Sequence, residues 1–388
     1  MSSTTACQLV VFESGERFPV LFGRDRLPIS LPMRYVVLEL RRRLQWRSIK
    51  KILEPIRWLY NWTAEKGIDL EYRLRYGPAL ASHEIFAFAI YLRTGRVTSN
   101  IIMSIGRNEC APKGDTYNRS LQAVEGFLTW ALSQRRGEFA AKEISLTGAP
   151  GIILKQQKTG KSPSPNKRGI IRHAFDALMI AARPGGANNP FHRQKTQFKN
   201  YLLIRLMFET GLREGEVASL YASDVETRGG QRTVMTKRRP DNPLDSRRYE
   251  PNVKTRERVI PVTEGLAGLL IEYLIHYRGN AKHPFLFVSQ QGGKPISLSL
   301  INKVFEAFRN IHPGLIELAP HDARRTFNDF FFEKASEMKV DAEILSGLQN
   351  YANGWAPGSA QSQKYARRAI EAKAMEIAEK MQEGLYGA

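Results

Sequence analysis

A short basic run near the middle of the chain constrains the fold most, because it cannot belong to a hydrophobic core. Residues 155–168, KQQKTGKSPSPNKR, contain five basic residues, two prolines and no acidic or large apolar side chain. Prolines and polar residues at this density favour an extended, solvated chain. We therefore predict a basic linker at 155–169 between two domains, and the length of 388 residues is sufficient for both.

The composition indicates a globular protein that binds a polyanion. Hydrophobic residues make up 42% of the chain and aromatic residues 10%, which is enough to build real cores. The 58 Lys and Arg residues outnumber the 38 Asp and Glu residues, so the formal net charge is +20. A charge of this size attracts polyanions, and nucleic acid is the partner we expect first. A basic protein without a nucleic-acid role is the alternative, because charge alone names no ligand.

Several classes of protein are not expected from this sequence. No apolar run is long enough to span a bilayer, and the amino terminus, MSSTTACQLVVFESGERF, has no basic segment followed by an apolar one. We therefore expect no membrane partner and a cytoplasmic, nucleoid-associated protein. Cys7 and Cys110 form no metal-ligand spacing and suggest a reduced compartment, in which both thiols are structural. The sequence has no GxxxxGK(S/T) motif and no clustered ligand residues, so we expect no ATP, cofactor or metal.

The amino-terminal part is predicted to be mostly helical. Residues 8–22, QLVVFESGERFPVLF, are typical of two short strands around a Ser-Gly turn, within a short extension at 1–33. Helical periodicity from Arg34 then predicts a helical domain at 34–154. Its further helices are expected at 82–94, 96–106 and 115–136.

The first helical segment of this domain has a basic face. Its apolar positions are Leu40, Leu44, Ile49, Ile52, Leu53, Ile56, Leu59 and Tyr60. Its basic positions are Arg41, Arg42, Arg43, Arg47, Lys50, Lys51 and Arg57. An ordinary solvated face has the same pattern, but almost no acidic residues stand beside these to neutralise them. The candidate DNA contacts on this segment and the linker are Arg43, Arg47, Lys50, Lys51, Lys158, Lys161, Lys167 and Arg168.

The carboxyl-terminal part combines helices with a small sheet. Helical patterns occur at 170–183, 197–209, 212–221 and over most of 297–382. RTVMT and RERVIPV are typical of strands joined by a polar, proline-containing stretch, and PFLFVS at 284–289 is another short apolar run. We predict a mainly α protein with a small antiparallel β-sheet in an α+β domain at 170–388.

One arginine close to a predicted core needs a neutralising partner. In LAPHDARRTFNDF, residues 318–330, a proline begins a helix, and Phe327, Phe330 and Phe331 are predicted to face a core. Arg324 precedes two of these phenylalanines at helical spacing, so we expect it at the edge of the apolar stripe. A guanidinium stays charged in a protein and therefore needs an anion there. That anion is either a carboxylate of the fold or a ligand from outside.

Other polar residues have both an ordinary and a functional interpretation. Arg213, in TGLREGEVASL, shares a helical face with Glu216, which can orient it or simply form a helix ion pair. Lys254, in NVKTRERVIPV, is expected at the turn of a strand hairpin, where a surface lysine is common. Trp355 and Tyr365 follow a glycine-containing turn, where either residue could anchor the last helix.

Taken in order, these residues resemble the tyrosine recombinases, the family that includes phage integrases and Cre. The ordered motifs are Arg213 in TGLRxxE, Lys254 in KTxxR before Ile260-Pro261, His321 and Arg324 in HxxR, Gly354-Trp355, and Tyr365. Each is short and frequent by chance, but the set in this order is specific. The resemblance covers the second domain, and the helical first domain is similar to the core-binding domain of the family. It therefore implies an α+β catalytic domain in a two-domain DNA clamp.

The resemblance implies cleavage and rejoining of DNA strands through a 3′-phosphotyrosine intermediate. Tyr365 attacks the phosphorus, and the two motif arginines stabilise its non-bridging oxygens. Lys254 protonates the leaving 5′ oxygen, His321 handles the proton of the attacking group, and Trp355 donates a hydrogen bond or packs the site. The implied reaction is integration, excision or resolution by a homotetramer on paired double-stranded DNA sites, and without DNA we expect a monomer or a weak oligomer. Accessory DNA-bending proteins are further partners that the family admits.

The chain departs from the family pattern near its end. Trp355 stands where many members have histidine, and Tyr365 follows it by ten residues, a slightly long gap. Asn350 or Asn353 is therefore an alternative for this position. Arg325 also stands where relatives often have histidine.

Three alternatives stay open in the sequence. The segment DNPLDSRRYEPN expands the strand hairpin, which makes Lys237 an alternative to Lys254. The terminal helix docks either into a neighbouring subunit or onto its own domain, through Ile370, Ala374, Ile377, Ala378 and Met381. The function itself has two rivals, a type IB topoisomerase that relaxes supercoils and a non-catalytic DNA-binding regulator.

Overall fold

The computed structural model describes most of the chain. The described residues are 5–94, 114–135, 157–159, 169–227, 230–251, 253–290, 292–359, Met375, Ala378 and 380–382. Contacts between residues divide the chain into two units, Met1–Pro165 and Asn166–Ala388. The predicted helix at 96–106, Cys110, and most of the predicted terminal helix lie outside the described residues.

The first unit begins with a β-hairpin, as predicted at 8–22. Strand β1, Ala6–Val11, pairs antiparallel with β2, Arg17–Phe22, in a register that aligns the first residue of one strand with the last of the other. The side chain of Arg17 is fully buried and donates from Nη1 to the carbonyl oxygen of Gly15 at 2.6 Å. The hairpin packs against the helix Trp46–Glu65 and contributes to the same core.

The rest of the first unit is helical. The helices are α1, Ser30–Tyr35, continued by a π-helical turn at Val36–Leu40, then α2, Trp46–Glu65, α3, Leu70–Arg75, α4, Ser82–Thr94, and α5, Gly114–Ser133. The predictions at 82–94 and 115–136 are confirmed by α4 and α5. The helix predicted to run on from Arg34 is interrupted at residues 41–45, because the π-helical turn ends there and α2 begins anew.

The basic face of the first unit is better neutralised than its sequence indicates. Arg43 pairs with Glu39 at 3.2 Å, and Arg57 pairs with Glu54 at 2.9 Å. Arg41 pairs with Glu16 at 2.7 Å, and this partner comes from the hairpin. The expectation that these residues lack acidic neighbours is therefore wrong for three of them, because one acid arrives through tertiary folding and two lie one helical turn away.

The second unit is mainly helical and contains a small antiparallel sheet, as predicted, and this sheet has three strands. Its helices are α6, Arg172–Ala182, α7, Gln194–Thr210, α8, Glu214–Ser219, α9, Glu264–Glu272, α10, Leu298–Ala307, α11, Pro320–Glu337, and α12, Ala342–Asn353. Its strands are β3, Val225–Glu226, β4, Thr233–Thr236, and β5, Arg258–Pro261, in the order β3-β4-β5. Helix α7 is central, because α6, α9 and α11 all pack against it.

Two parts of this sheet differ from the prediction. The apolar run at 284–289 forms only isolated bridges, in which Phe285 pairs with Tyr221 and Val288 with Pro295. The connection between β4 and β5 spans residues 237–257. Lys254 therefore lies in the returning part of a long loop, shortly before β5, and not at a tight hairpin turn. We refer to residues 237–257 as the β4–β5 loop.

No helix in the described parts of the chain has the length and hydropathy required to cross a membrane. Within those same parts, no three His, Cys, Asp or Glu side chains are grouped as metal ligands would be.

Gly211 ends α7 and brings α11 close to it. Its φ of 63° lies in the left-handed region, and its N–H donates to the carbonyl oxygen of Met207 at 3.1 Å. A Cβ atom at this position would overlap the ring of Phe327 on α11. Gly211 is therefore required both by its backbone conformation and by the close packing of two helices.

We expect Gly211→Ala to destabilise the second unit by more than the roughly 1–2 kcal/mol that a left-handed alanine costs, because the ring of Phe327 must also move. Gly230→Ala is the matched control, since Gly230 has a φ of 78° and nothing within 4 Å of its Cβ position. Denaturant unfolding of both full-length variants measures the difference. Equal losses of stability would contradict the close packing against Phe327.

Candidate active site

The carboxylate of Glu216 is the centre of the candidate site. Glu216 lies in the first turn of α8 and is 2% exposed. Its Oε2 accepts a hydrogen bond from the backbone N–H of Arg213 at 2.7 Å, which caps the start of the helix. Its Oε1 accepts from Nη1 of Arg258 at 2.6 Å and from the hydroxyl of Thr255. Oε2 also lies 3.7 Å from Nη1 of Arg324.

This carboxylate stays ionised although it is buried. Desolvation alone would raise its pKa, since burial penalises the charged form. The charge and hydrogen bond of Arg258, the charge of Arg324 and the N–H of Arg213 act in the opposite direction and leave the pKa of Glu216 below its ordinary value. One anion thus neutralises two buried guanidiniums.

Arg324 is fully buried, which corrects the prediction that it lies at the edge of an apolar stripe. It is 1% exposed and donates to the carbonyl oxygens of Gly211 and Asn353, both at 2.7 Å. The internal ion pair that the sequence left as an alternative is formed with Glu216. Its guanidinium carbon lies 5.2 Å from the centre of the Trp355 ring, a distance that permits a cation–π interaction.

The face of α11 that packs inward is more polar than its sequence indicates. Phe327, Phe330 and Phe331 are only half-buried, so the prediction that they face the core is wrong. The buried residues of α11 are Pro320, Asp322, Ala323, Arg324, Thr326, Asn328 and Ala335. The polar members of this face bind other polar groups of the second unit, and hydrogen bonds offset the cost of burying them.

A pair of asparagines joins α11 to α12. The side chains of Asn328 and Asn353 are both 0% exposed and exchange two hydrogen bonds, at 2.7 and 3.1 Å. Asn353 also donates to the carbonyl oxygen of Gln349 at 3.0 Å, and the carbonyl oxygen of Asn350 accepts from the N–H of Trp355 at 2.8 Å. The amide of Asn353 is thus engaged in holding two helices together, whereas the ring of Trp355 lies beside Arg324.

The turn after α12 is held against the strand that carries Arg258. Gly354 has a φ of 63°, and a Cβ there would lie 2.7 Å from Nη1 of Arg258 and 2.9 Å from the carbonyl oxygen of Arg256. The carbonyl oxygen of Gly354 accepts from the N–H of Arg256 at 2.8 Å. Only glycine fits this contact without displacement, and the contact sets the position of Trp355.

Arg258 ends the KTxxR motif, but the sequence interpretation assigned it no role in this site. It is 5% exposed, and besides Glu216 it binds the carbonyl oxygen of Ala352 at 2.9 Å through Nε. The strand pattern contained a signal for it, because Arg258 and Ile260 alternate with exposed Val259 and therefore share the inward face of β5. An arginine at an inward strand position predicts a buried anionic partner.

His321 lies in the first turn of α11 and is exposed overall. Partial desolvation is the largest cause that lowers the pKa of its imidazole, followed by the positive charges of Arg325, Arg324 and Arg213, while Asp322 acts in the opposite direction. The imidazole is therefore neutral at physiological pH and able to accept a proton.

The two candidate lysines have different surroundings. Lys254 is exposed, and among the described residues it makes no hydrogen bond or ion pair. Its neighbour Thr255 is bound to Glu216, so the backbone at Lys254 is close to the centre of the site. Lys237 instead lies 3.5 Å from the buried carboxylate of Asp224.

The structure thus brings five of the site residues predicted in the second unit into one region. They are Arg213, Glu216, His321, Arg324 and Trp355, with Lys254 one residue from the network. Tyr365 and the linker candidates Lys161, Lys167 and Arg168 lie outside the described residues.

The remaining DNA-contact candidates belong to the first unit. The side chain of Arg43 is 68% exposed, and the guanidinium carbon of Arg47 lies 5.1 Å from the centre of the Trp46 ring. Lys51 is exposed and Lys50 is half-buried. Lys158 lies 3.9 Å from the carboxylate of Glu125.

Comparison with known proteins identifies the family. Residues 177–346 match the phage integrase family. Transposase A of transposon Tn554 from Staphylococcus aureus is 34% identical to the chain over 301 residues, which cover 72% of this chain and 73% of that protein. The chain belongs to the phage integrase family of tyrosine recombinases. As an enzyme, it is a tyrosine-type site-specific recombinase.

Other tyrosine recombinases are similar to it at lower identity. The recombinase XerC of Haemophilus influenzae is 27% identical over 155 residues, which cover 39% of this chain and 46% of XerC. The crystal structure of the XerH site-specific recombinase bound to its difH substrate has a TM-score of 0.56 and 16% identity, and the match covers 90% of this chain and 85% of XerH. At that identity, the likeness to XerH is one of fold.

We expect Glu216→Gln to destabilise this recombinase by about 3–5 kcal/mol, because it leaves two buried guanidiniums without their anion. The matched control is Glu209→Gln, since Glu209 and Arg205 form a pair whose side chains are 27% and 24% exposed. Loss of such a pair costs at most about 1 kcal/mol. Denaturant unfolding of both full-length variants provides the comparison, and similar losses would show that the Glu216 cluster contributes little.

Proposed function

We propose that this recombinase cleaves and rejoins double-stranded DNA through a 3′-phosphotyrosine intermediate, and so integrates, excises or resolves a mobile DNA segment. The observation that carries the proposal is the buried network of Glu216, Arg258 and Arg324, with Arg213 bound to the same carboxylate through its backbone. Such a network fixes positive charge in one position, as the stabilisation of a phosphoryl transition state requires.

In the proposed cleavage step, Tyr365 attacks the phosphorus and its hydroxyl proton passes to His321. The lowered pKa of His321 supports this role, because a neutral imidazole accepts a proton at physiological pH. The new bond joins the tyrosine oxygen to the 3′ phosphate, and the bond to the 5′ oxygen breaks. Arg213 and Arg324 stabilise the charge on the non-bridging oxygens, and Trp355 packs beside Arg324.

The leaving 5′ oxygen takes its proton from Lys254. Two observations support Lys254 over Lys237: its exposure without a partner among the described residues, and the bond of adjacent Thr255 to Glu216. Lys237 lies near Asp224, and that carboxylate holds its ammonium toward the protein. Rejoining reverses each of these steps, with the 5′ hydroxyl as the attacking group.

The DNA partner is supported by the formal charge of +20 and by the XerH structure, which was solved with its DNA substrate. We propose that both units bind the duplex, the first as the core-binding domain. The active assembly is a homotetramer on paired sites, joined through the terminal helix, and accessory DNA-bending proteins are optional. Sizing of the protein on one and on two DNA sites, with and without residues 369–388, tests the assembly.

A reaction that moves DNA segments is favoured over supercoil relaxation and over a purely regulatory role. The transposon protein that matches most of this chain supports the first. DNA binding by a non-catalytic regulator also does not require the buried network of Glu216, Arg258 and Arg324 beside Trp355.

We expect Tyr365→Phe to keep DNA binding and to abolish the covalent protein–DNA adduct, because only the attacking hydroxyl is removed. Incubation with fragments of the host DNA, followed by mapping of the covalently attached ends, finds the site and measures the adduct together. Tyr351→Phe is the control, since Tyr351 is 67% exposed on α12 and has no proposed role. An adduct of normal yield with Tyr365→Phe would exclude this nucleophile.

We expect Lys254→Ala to cleave ordinary DNA about 10²–10⁴-fold more slowly, because it lacks the general acid. On a duplex whose bridging 5′ oxygen is replaced by sulfur it should recover, since a thiolate leaves without a proton. Arg213→Ala should recover little, because sulfur does not replace lost positive charge. Recovery of Lys237→Ala in place of Lys254→Ala would move the acid to Lys237.

A further inference from the structure

The β4–β5 loop is fastened to α8 by a buried arginine. Arg247 forms two hydrogen bonds to the carboxylate of Asp245, at 2.8 and 2.7 Å. Its Nη1 donates to the carbonyl oxygen of Ala218 on α8 at 3.0 Å and to that of Ile296 at 2.6 Å. Its guanidinium carbon lies 4.5 Å from the centre of the Phe285 ring. The side chains of the Arg247–Asp245 pair are only 9% and 1% exposed.

The same loop is also closed upon itself. The carboxylate of Glu250 accepts hydrogen bonds from the N–H groups of Asp241 and Asn242 at 3.2 and 3.0 Å. Asp241 has a φ of 50°, so these bonds help to maintain a turn with a left-handed residue. The amide of Asn242 donates to the hydroxyl of Tyr221 at 2.6 Å, and Arg239 stacks on the ring of Tyr221 at 3.9 Å.

Lys254 lies between two fixed points of this loop. Glu250 is 6% exposed and belongs to the closed part of the loop, while Thr255 is 3% exposed and bonded to Glu216. Val253, the residue before the lysine, is 7% exposed. The backbone is therefore held on both sides of Lys254, and its exposed side chain starts from a fixed position.

We propose that Arg247 is a positioning residue for Lys254, and that it acts by clamping the β4–β5 loop onto α8. The inference rests on the proposed role of Lys254 as the general acid. Helix α8 also carries Glu216, and Arg213 immediately precedes it. The clamp therefore fixes the loop that carries Lys254 to the helix that positions the charges proposed to stabilise the transition state. Joining the ends of a long loop fixes few of its backbone angles. Without the clamp, the β4–β5 loop would therefore sample many conformations.

The size of the effect follows from the sensitivity of catalysis to position. A displacement of about 1 Å of a catalytic group can cost roughly 10²-fold in rate. Loss of the Arg247 side chain removes the positive charge that pairs with the buried carboxylate of Asp245 and the donor to two carbonyl oxygens, so the loop is expected to leave α8. The lysine is then present but is no longer held beside the leaving oxygen.

The test uses full-length Arg247→Met and a duplex that contains the mapped cleavage site, with either oxygen or sulfur at the bridging 5′ position. We expect Arg247→Met to cleave the oxygen duplex at least about tenfold more slowly than the unaltered protein, and the sulfur duplex at a rate within about threefold of it. The matched control is Arg248→Met. Arg248 is the exposed neighbour in the same loop, so this variant loses the same charge without the clamp. Relative to the unaltered protein, Arg248→Met should show the same change in cleavage rate on the oxygen duplex and on the sulfur duplex.

Lys254→Ala, measured in parallel, distinguishes a failure of the proposed general acid from a failure of the proposed clamp. The inference is wrong if the sulfur duplex restores cleavage by Lys254→Ala but Arg247→Met cleaves the sulfur duplex as slowly as the oxygen duplex. Arg247 would then have only a structural role. If sulfur fails to rescue Lys254→Ala, the proposed general acid is wrong and the inference falls with it. In Lys254→Ala/Arg247→Met, the second change should add little to the first on the oxygen duplex.

Arg247→Lys covers the case in which the methionine variant does not fold. Lysine keeps the charge but cannot donate in a fork to the carboxylate and to two carbonyl oxygens at once. The same selective rescue by sulfur is expected from it. Equal slowing of this variant on the oxygen and sulfur duplexes would overturn the proposal.

Discussion

The second unit depends on one buried carboxylate. Glu216 belongs to the short helix α8, yet its two oxygens bind groups from the β4–β5 loop, strand β5 and helix α11. Two buried guanidiniums without an anion would be severely destabilising, and a buried carboxylate without them would be as well. None of these elements can therefore adopt its position without the others. The precision of the site follows from this mutual requirement, because the groups that bind Glu216 also adjoin the residues assigned to the chemistry.

The elements that local pattern determines could be predicted from the sequence. Helices α4 and α5, the amino-terminal hairpin and the β4–β5 pairing follow from periodicity within short windows, and they agree with prediction. The site residues Arg213, Glu216, Arg324 and Trp355 were identifiable because the family places them in short motifs in a fixed order. Arg258 ends the KTxxR motif, but the motif alone gave it no role, because its partner Glu216 lies 42 positions away in the chain. Its inward position on a strand was the local sign of a buried anionic partner.

Most of the wrong predictions have one physical cause. The phenylalanines of α11 were expected to face the core because apolar residues usually do. Polar contacts with the end of α7, with Glu216 on α8 and with Asn353 on α12 instead decide which face of this helix is buried. On the basic face of the first unit, the pairs Arg43–Glu39 and Arg57–Glu54 follow from helical spacing, but Glu16 reaches Arg41 from the hairpin. For Arg41, as for α11, the partner is distant in sequence, and only the tertiary fold brings it near. Hydrophobic periodicity carries no information about such pairs.

The depth of the Glu216 cluster has a consequence for the response to ionic strength. Mobile ions screen charges over about 8 Å in physiological salt, but only where solvent has access. The side chains of Glu216 and Arg324 are each 1% exposed, whereas those of Arg43 and Glu39 are 68% and 42% exposed. Concentrated salt should therefore displace a polyanion from the protein surface and leave the interior ion pairs intact. Affinity for DNA and the integrity of the Glu216 cluster are thus separable, so that a protein dissociated from DNA by salt keeps the candidate site folded.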